Sequence, residues 1–111
     1  MKKEPVRNLT EPMYYILLIL QTPNHGYGIM QRVKELTRGR VEIGAGTLYS
    51  LLSKFNDEAL IEIASQGERK KTYRITKKGY EVLKEEHQRL QTLVKDGEQL
   101  LKGGWEDDGE G

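Results

Sequence analysis

Hydroxyl-bearing side chains cluster on one face of the helix predicted over residues 46–55. The opposite face has the i, i+3, i+4, i+7 apolar spacing of a surface that packs on a core, with Leu48, Leu51, Leu52 and Phe55. Short, mostly neutral side chains suit close approach to a phosphate-lined groove, where glutamates would be repelled. An amphipathic surface helix without a ligand explains this segment equally well. The candidate nucleic-acid contacts are Thr47, Tyr49, Ser50, Ser53 and Lys54.

A basic run follows on the second of two strand-like segments. Residues 61–64 and 71–75 alternate apolar and polar side chains across a polar loop, a pattern that predicts a β-hairpin. The returning arm carries three candidate phosphate contacts, Arg69, Lys70 and Lys71. Lysines also protect exposed hairpin edges from pairing with other strands, so the run alone does not indicate a ligand.

Two further helices are predicted before the segment that carries these side chains. Thr10 as N-cap and Pro12 in the first turn predict a helix that is apolar through residues 13–20. A second helix is predicted over residues 27–37 with Leu36 in its buried stripe, and His25 before it suits a cap better than a metal ligand. Three helices followed by a hairpin predict a mainly α fold with a small β-hairpin wing, a winged helix-turn-helix DNA-binding domain over residues 8–78.

The last predicted helix, residues 77–101, is longer than this small body can cover. At 1.5 Å per residue it extends about 37 Å. Apolar residues recur at spacings of three and four, which favours a dimer seam over a helix that folds back on its own domain. We predict a dimerisation helix over residues 79–102 and a disordered acidic tail over residues 103–111. The seam residues are Tyr80, Leu83, His87, Leu90, Val94 and Leu101.

Charge is distributed unevenly along the chain. Residues 1–79 hold 14 Lys and Arg against 8 Asp and Glu, a net +6, whereas residues 80–111 hold 4 against 9, a net −5. The basic part is the part that would meet a polyanion such as double-stranded DNA. With no cysteine, two histidines and no nucleophile paired with a base, the sequence predicts no enzyme, metal site or cofactor. The longest apolar run is eight residues, too short for a membrane helix.

Five short motifs stand in a fixed order along the chain: Leu9-Thr10-Glu11, His25-Gly26-Tyr27-Gly28, Gly46-Thr47-Leu48-Tyr49, Leu60-Ile61 and Lys71-Thr72-Tyr73-Arg74-Ile75-Thr76-Lys77-Lys78-Gly79. Together they resemble the PadR family of bacterial transcriptional regulators. The resemblance covers about residues 8–100 and implies a cytoplasmic homodimeric winged-helix repressor that binds a palindromic operator. In that family the C-terminal helix forms the dimer, and many members release DNA on binding a small, often aromatic compound.

The sequence departs from that resemblance at four positions. Ala45 and Ala59 stand where Pro and Gly are common, which should alter local rigidity but not the fold. Leu90 and Val94 lie where some drug-sensing members place an aromatic side chain, which weakens the case for a flat-ligand pocket.

An effector pocket is expected, by resemblance only, between the first and last helices. Its expected lining is Tyr15, Ile19, Leu90 and Val94. A protein–protein adaptor that uses the winged helix and the seam without DNA is the alternative function. The basic body, with few acids on the third helix, favours DNA binding over the adaptor.

Overall fold

The computed structural model describes residues 8–105, and within them the chain forms four helices and a small three-stranded antiparallel sheet. Their bounds are α1 Glu11–Ile19, β1 Asn24–His25, α2 Gly26–Leu36, α3 Ala45–Asp57, β2 Ile61–Gln66, β3 Lys71–Ile75 and α4 Lys77–Leu101. The predicted winged helix-turn-helix with a long C-terminal helix is confirmed. Residues 106–111 of the predicted acidic tail lie outside the described part of the chain.

Side-chain caps fix where the helices begin. The Thr10 hydroxyl accepts a hydrogen bond from the Met13 amide at 3.4 Å, and the Thr76 hydroxyl accepts one from the Gly79 amide at 3.0 Å. His25 Nδ1 accepts from the Gly28 amide at 3.2 Å, so this imidazole caps α2, as predicted. Each bond satisfies an amide that the first helical turn leaves without a partner.

The sheet joins the hairpin to the start of α2. Its strand order is β1-β3-β2, all antiparallel, and Asn24 pairs with Tyr73 while His25 pairs with Thr72. The two-residue strand β1 was not predicted, because a segment this short has no detectable alternation. This pairing tethers the β2–β3 hairpin, which we call the wing, beside the α2 N-terminus.

The core lies between α1, α2, α3 and the first turns of α4. Leu83 of α4 is only 3% exposed and belongs to this core, so its predicted place in a dimer seam is wrong. Leu36 is 54% exposed, and its prediction as a buried residue is also wrong. The buried line of α2 runs through Ile29 and Val33 to Thr37, whose hydroxyl donates to the Val33 carbonyl at 2.8 Å, and Leu36 falls to one side.

A buried carboxylate ties α4 to the segment before α1. Glu86 is 3% exposed, receives hydrogen bonds from Arg89 Nε at 2.9 Å and Nη2 at 2.5 Å, and accepts from the Leu9 backbone amide. The hydrogen bonds from Arg89 lower the pKa of Glu86 although burial acts in the opposite direction. Glu86 therefore stays ionised at neutral pH as the partner of these donors.

Ala59 has a left-handed backbone, with φ of 60°. This conformation brings a Cβ close to the following carbonyl and costs a non-glycine residue about 1–2 kcal/mol. We expect Ala59→Gly to raise the free energy of unfolding by about 1 kcal/mol, after the larger chain entropy of unfolded glycine is subtracted. Urea denaturation at fixed protein concentration measures it.

The control for this substitution is Ala45→Gly. Ala45 is the first residue of α3 and has no positive φ, so glycine there should leave stability unchanged or slightly reduced. A lower denaturation midpoint for Ala59→Gly than for the unsubstituted chain would contradict the strain argument.

The face of α4 that packs on the body continues beyond it. Gly79, Leu83 and Glu86 are buried, and the same face then runs on without cover over the last turns of the helix. We call this uncovered part the α4 stripe; it comprises Leu90, Leu93, Val94, Gly97, Leu100 and Leu101. No helix in residues 8–105 combines the length and apolarity needed to cross a membrane.

Candidate nucleic-acid interface

Helix α3 divides into a core side and an outward side. Leu48, Leu52 and Phe55 are no more than 2% exposed and anchor the helix in the core, next to α2 and β2. This anchoring fixes the orientation of the opposite face. The outward residues that the structure leaves exposed are Thr47, Tyr49, Ser50 and Ser53.

The ring of Tyr49 packs over the start of α2, where a glycine leaves room for it. A Cβ added at Gly26 would lie 2.7 Å from Tyr49 Cζ and 3.0 Å from Cε1, both too close for a side chain. Gly26 therefore allows the ring of Tyr49 to rest on the α2 N-terminus. The ring is still 52% exposed, so one face remains open to a ligand.

A cleft of about 590 Å³ connects α3 to the wing. Tyr49 of α3 stands on one side of it, and the basic residues of the wing stand on the other. Of the α3 candidates, the cleft brings only Tyr49 together with the three wing cations; Thr47, Ser50, Ser53 and Lys54 do not line it. The lining residues are His25, Gly26, Tyr27, Tyr49, Arg69, Lys70, Lys71 and Tyr73.

The wing cations are available for an external anion. None of the ion pairs formed among residues 8–105 involves Arg69, Lys70 or Lys71, and all three side chains are exposed. The next cation on the strand, Arg74, is instead held by Glu62, with Nε and Oε2 2.7 Å apart. Three neighbouring cations with no acid paired to them in residues 8–105 make a strongly anion-attracting edge.

Lys54 differs from the other predicted contacts. Its Nζ lies 3.4 Å from Oε2 of Glu58, one turn along α3, and the residue is half-buried. A carboxylate beside this ammonium group reduces the positive potential it presents. Lys54 is therefore a weaker candidate than its spacing suggested.

Sequence reasoning missed two further tyrosines of the cleft. Tyr27 is 61% exposed and its hydroxyl accepts from Gln31 Nε2 at 2.7 Å, which holds the ring at the cleft edge. Tyr73 reaches the cleft because β3 pairs with β1. A signal for the first was present in the segment His25-Gly26-Tyr27-Gly28, where a tyrosine stands between two glycines at a helix start.

The predicted effector residues do not converge. Arg40 Nη2 donates to the Tyr15 hydroxyl at 3.1 Å, and Ile19 lines a different depression with Leu18 and Leu36. Leu90 and Val94 do line one groove, but with Tyr14 in place of Tyr15. The structure thus places Tyr14, and not the adjacent Tyr15, beside Leu90 and Val94. The sequence could not separate the two tyrosines, because α1 is apolar nearly all round and its pattern does not define a single face.

Of the predicted seam residues, all but Leu83 reach the surface. Tyr80, Val94 and Leu101 are 43%, 60% and 77% exposed, and Leu90 is half-buried. His87 is exposed, and its Nδ1 lies 2.7 Å from the Tyr14 hydroxyl within the same chain.

Solved structures of similar fold come from several bacteria. This chain is 25% identical to a transcriptional regulator from Clostridium thermocellum, with 78% of this chain and 85% of that one covered and a TM-score of 0.69. A PadR family transcriptional regulator from Eggerthella lenta is 27% identical over 79% of each chain, with a TM-score of 0.67. A PadR-like transcriptional regulator from Bacillus cereus is 28% identical, over 79% of this chain and 88% of that one, also with a TM-score of 0.67. No curated protein matches this chain.

The family profile of the transcriptional regulator PadR-like family matches residues 16–85. That match runs from α1 through the wing into α4 and includes both sides of the cleft. The chain belongs to the PadR-like family of transcriptional regulators, a family of DNA-binding proteins.

Proposed function

We propose that this chain is a cytoplasmic homodimeric repressor that binds a two-fold-symmetric operator. The observation that carries the proposal is the cleft between α3 and the wing, where Tyr49 of α3 lies beside three cations that have no acidic partner among the described residues. Bound near a promoter, such a dimer would exclude other proteins from the same stretch of duplex.

The exposed face of α3 and the wing take different roles on DNA. Thr47, Ser50 and Ser53 are short enough to enter the major groove, where hydroxyls exchange hydrogen bonds with base edges. Arg69, Lys70 and Lys71 neutralise phosphates beside the groove, which fixes the position of the protein without reading sequence. Tyr49 and Tyr27, at the junction, contact the sugar-phosphate backbone between these regions.

The α4 stripe supports the proposed dimerisation. Leu100 and Leu101 are 85% and 77% exposed, and Leu93 and Val94 are more than half exposed, which is unusual for a row of aliphatic side chains. A second copy covers the stripe at the lowest cost, because a two-fold axis presents the same apolar surface from both sides. The dimer then offers two α3 helices, which reach successive major grooves when about 34 Å apart.

Release by an aromatic effector is proposed at the groove between α1 and α4. Tyr14, His87, Leu90 and Val94 supply its lining, and these residues also adjoin the α4 stripe. A compound bound there would act on the dimer geometry and so on the spacing of the two α3 helices.

Selection from a random duplex pool at about 150 mM salt, followed by sequencing, tests the proposal. Enrichment of a two-fold-symmetric site with half-sites about one helical turn apart is expected. Salt-sensitive binding without enrichment would contradict sequence specificity. No DNA binding by a dimeric protein would contradict the repressor and favour the adaptor.

A further inference from the structure

His25 lies where β1 meets α2, and three contacts hold it in place. Its backbone pairs with Thr72 of β3, and its amide donates to Asn24 Oδ1 at 2.8 Å. Its ring Nδ1 accepts from the Gly28 amide at 3.2 Å. The position and orientation of the imidazole are therefore fixed within the free protein.

The capping bond also determines which nitrogen of the imidazole carries the proton. A nitrogen that accepts a hydrogen bond has no proton of its own, so the ring is neutral and its proton is on Nε2. Within residues 8–105 the ring makes no hydrogen bond through Nε2. His25 thus keeps one N–H donor for a group outside the chain.

The imidazole is half-buried and lines the cleft between α3 and the wing. The other side chains around this cleft are tyrosines, lysines and an arginine, and no carboxylate of the described residues lines it. A ligand in the cleft can therefore supply the acceptor that Nε2 lacks. A phosphate oxygen of DNA fits this place, because the wing cations attract it and its charge strengthens the hydrogen bond.

We propose that His25 is a further DNA-binding residue, which donates its Nε2–H to a phosphate oxygen of the duplex. The inference rests on the DNA binding of the proposed function and adds a contact of a different kind. Arg69, Lys70 and Lys71 contribute charge, whereas His25 contributes one neutral donor with a fixed orientation. The helix cap and the DNA contact use the two nitrogens of one ring, so the bond that begins α2 also orients the donor.

A neutral donor has a distinctive signature in salt titrations. The slope of log affinity against log salt depends on the number of cations that displace counterions from the phosphates. His25 has no charge while Nδ1 accepts from Gly28, so its loss should lower the affinity and leave the slope unchanged. The loss of a wing lysine should change both.

His25→Asn separates the DNA contact from the cap. Asparagine is a favourable N-cap whose side-chain oxygen can accept from the Gly28 amide, but its side chain is too short to place a donor where Nε2 lies. We expect an unchanged melting temperature, an unchanged salt slope and an affinity about tenfold lower. The loss should be equal on the selected operator and on a random-sequence duplex, both measured by fluorescence anisotropy, because a phosphate contact does not read sequence.

His25→Gln is the reciprocal variant. Its longer side chain places an amide N–H near the position of Nε2 but cannot cap α2 in the same way. It should lower the melting temperature and bind DNA more tightly than His25→Asn does. Thr10→Asn is the control, because Thr10 caps α1 and does not line the cleft, so its affinity for DNA should not change.

Methylphosphonate substitution identifies the partner of His25 on the DNA. One phosphate at a time is replaced along each half-site of the selected operator. At the contacted phosphate, the replacement should weaken the unsubstituted protein about tenfold more than it weakens His25→Asn, because the variant has already lost that hydrogen bond.

Three results would overturn the contact while DNA binding by the wing stands. They are full affinity of His25→Asn, weaker binding by His25→Gln than by His25→Asn, and a loss of affinity that no methylphosphonate position reproduces. A flatter salt slope for His25→Asn would overturn the neutral donor, since it would mean that the ring binds as a cation. If the unsubstituted protein binds neither duplex, the proposed function fails together with this inference.

Discussion

Alanine in place of both Lys70 and Lys71 is expected to weaken binding to the operator and to unrelated duplexes by the same factor. Both side chains stand on the wing with no acid paired to them in the described structure, so their charge is available to phosphates. Removing one phosphate contact should reduce the slope of log affinity against log salt by about 0.9, and removing two should reduce it by about 1.8. If each contact contributes about 1 kcal/mol, affinity falls about 30-fold. Titrations at several salt concentrations, on operator and random duplex, measure both quantities.

The matched control removes two lysines elsewhere. The double substitution Lys84→Ala and Lys102→Ala changes the net charge by the same amount. Lys84 lies within α4 and Lys102 is the C-cap of that helix, so both are outside the wing. If this control flattened the salt slope as much as the wing variant does, the effect would come from overall charge. An unchanged slope in the wing variant would mean that Lys70 and Lys71 do not contact DNA.

The sequence predicted the helices and the wing because each has a strong local signal. The α4 bounds followed from the Thr76 cap and a long apolar periodicity, and the α3 core side followed from its i, i+3, i+4, i+7 spacing. Each of these signals lies within a single segment of the chain. It therefore does not depend on contacts with distant segments.

What the sequence did not predict depends on contacts between distant segments. β1 exists only through its pairing with β3, and that pairing brings Tyr73 to the cleft. Glu86 lies on the apolar face of α4, where a carboxylate is unexpected, and Arg89 and the Leu9 amide satisfy it there. Tyr14 and Tyr15 are adjacent, and only the packing of α4 on α1 shows that Tyr14 meets His87.

Gly79 makes a very close contact with residues that are distant from it in the sequence. It is buried in the first turn of α4, and a Cβ there would lie 2.8 Å from Ile75 Cγ1, 2.9 Å from the carbonyl carbon of Leu60, and closer still to the Leu60 oxygen. That oxygen accepts a 3.0 Å hydrogen bond from the Thr76 amide, so it is not free to move. The glycine that ends this family motif is thus explained by steric contact. The first turn of α4 can pack against Leu60 and Ile75 only if residue 79 has no side chain.

Gly79→Ala should therefore lower the free energy of unfolding by about 2–3 kcal/mol, the cost of overpacking against backbone. The melting temperature should fall by about 10 °C at fixed protein concentration, measured by circular dichroism. Gly46→Ala is the control, because Gly46 is also helical but a Cβ there meets nothing within 4 Å. Alanine at that site should leave stability unchanged or raise it by up to about 1 kcal/mol, through its higher helix propensity. Equal melting temperatures for the two variants would mean that α4 can shift away from Leu60 at little cost, and that the close contact does not set the position of the helix.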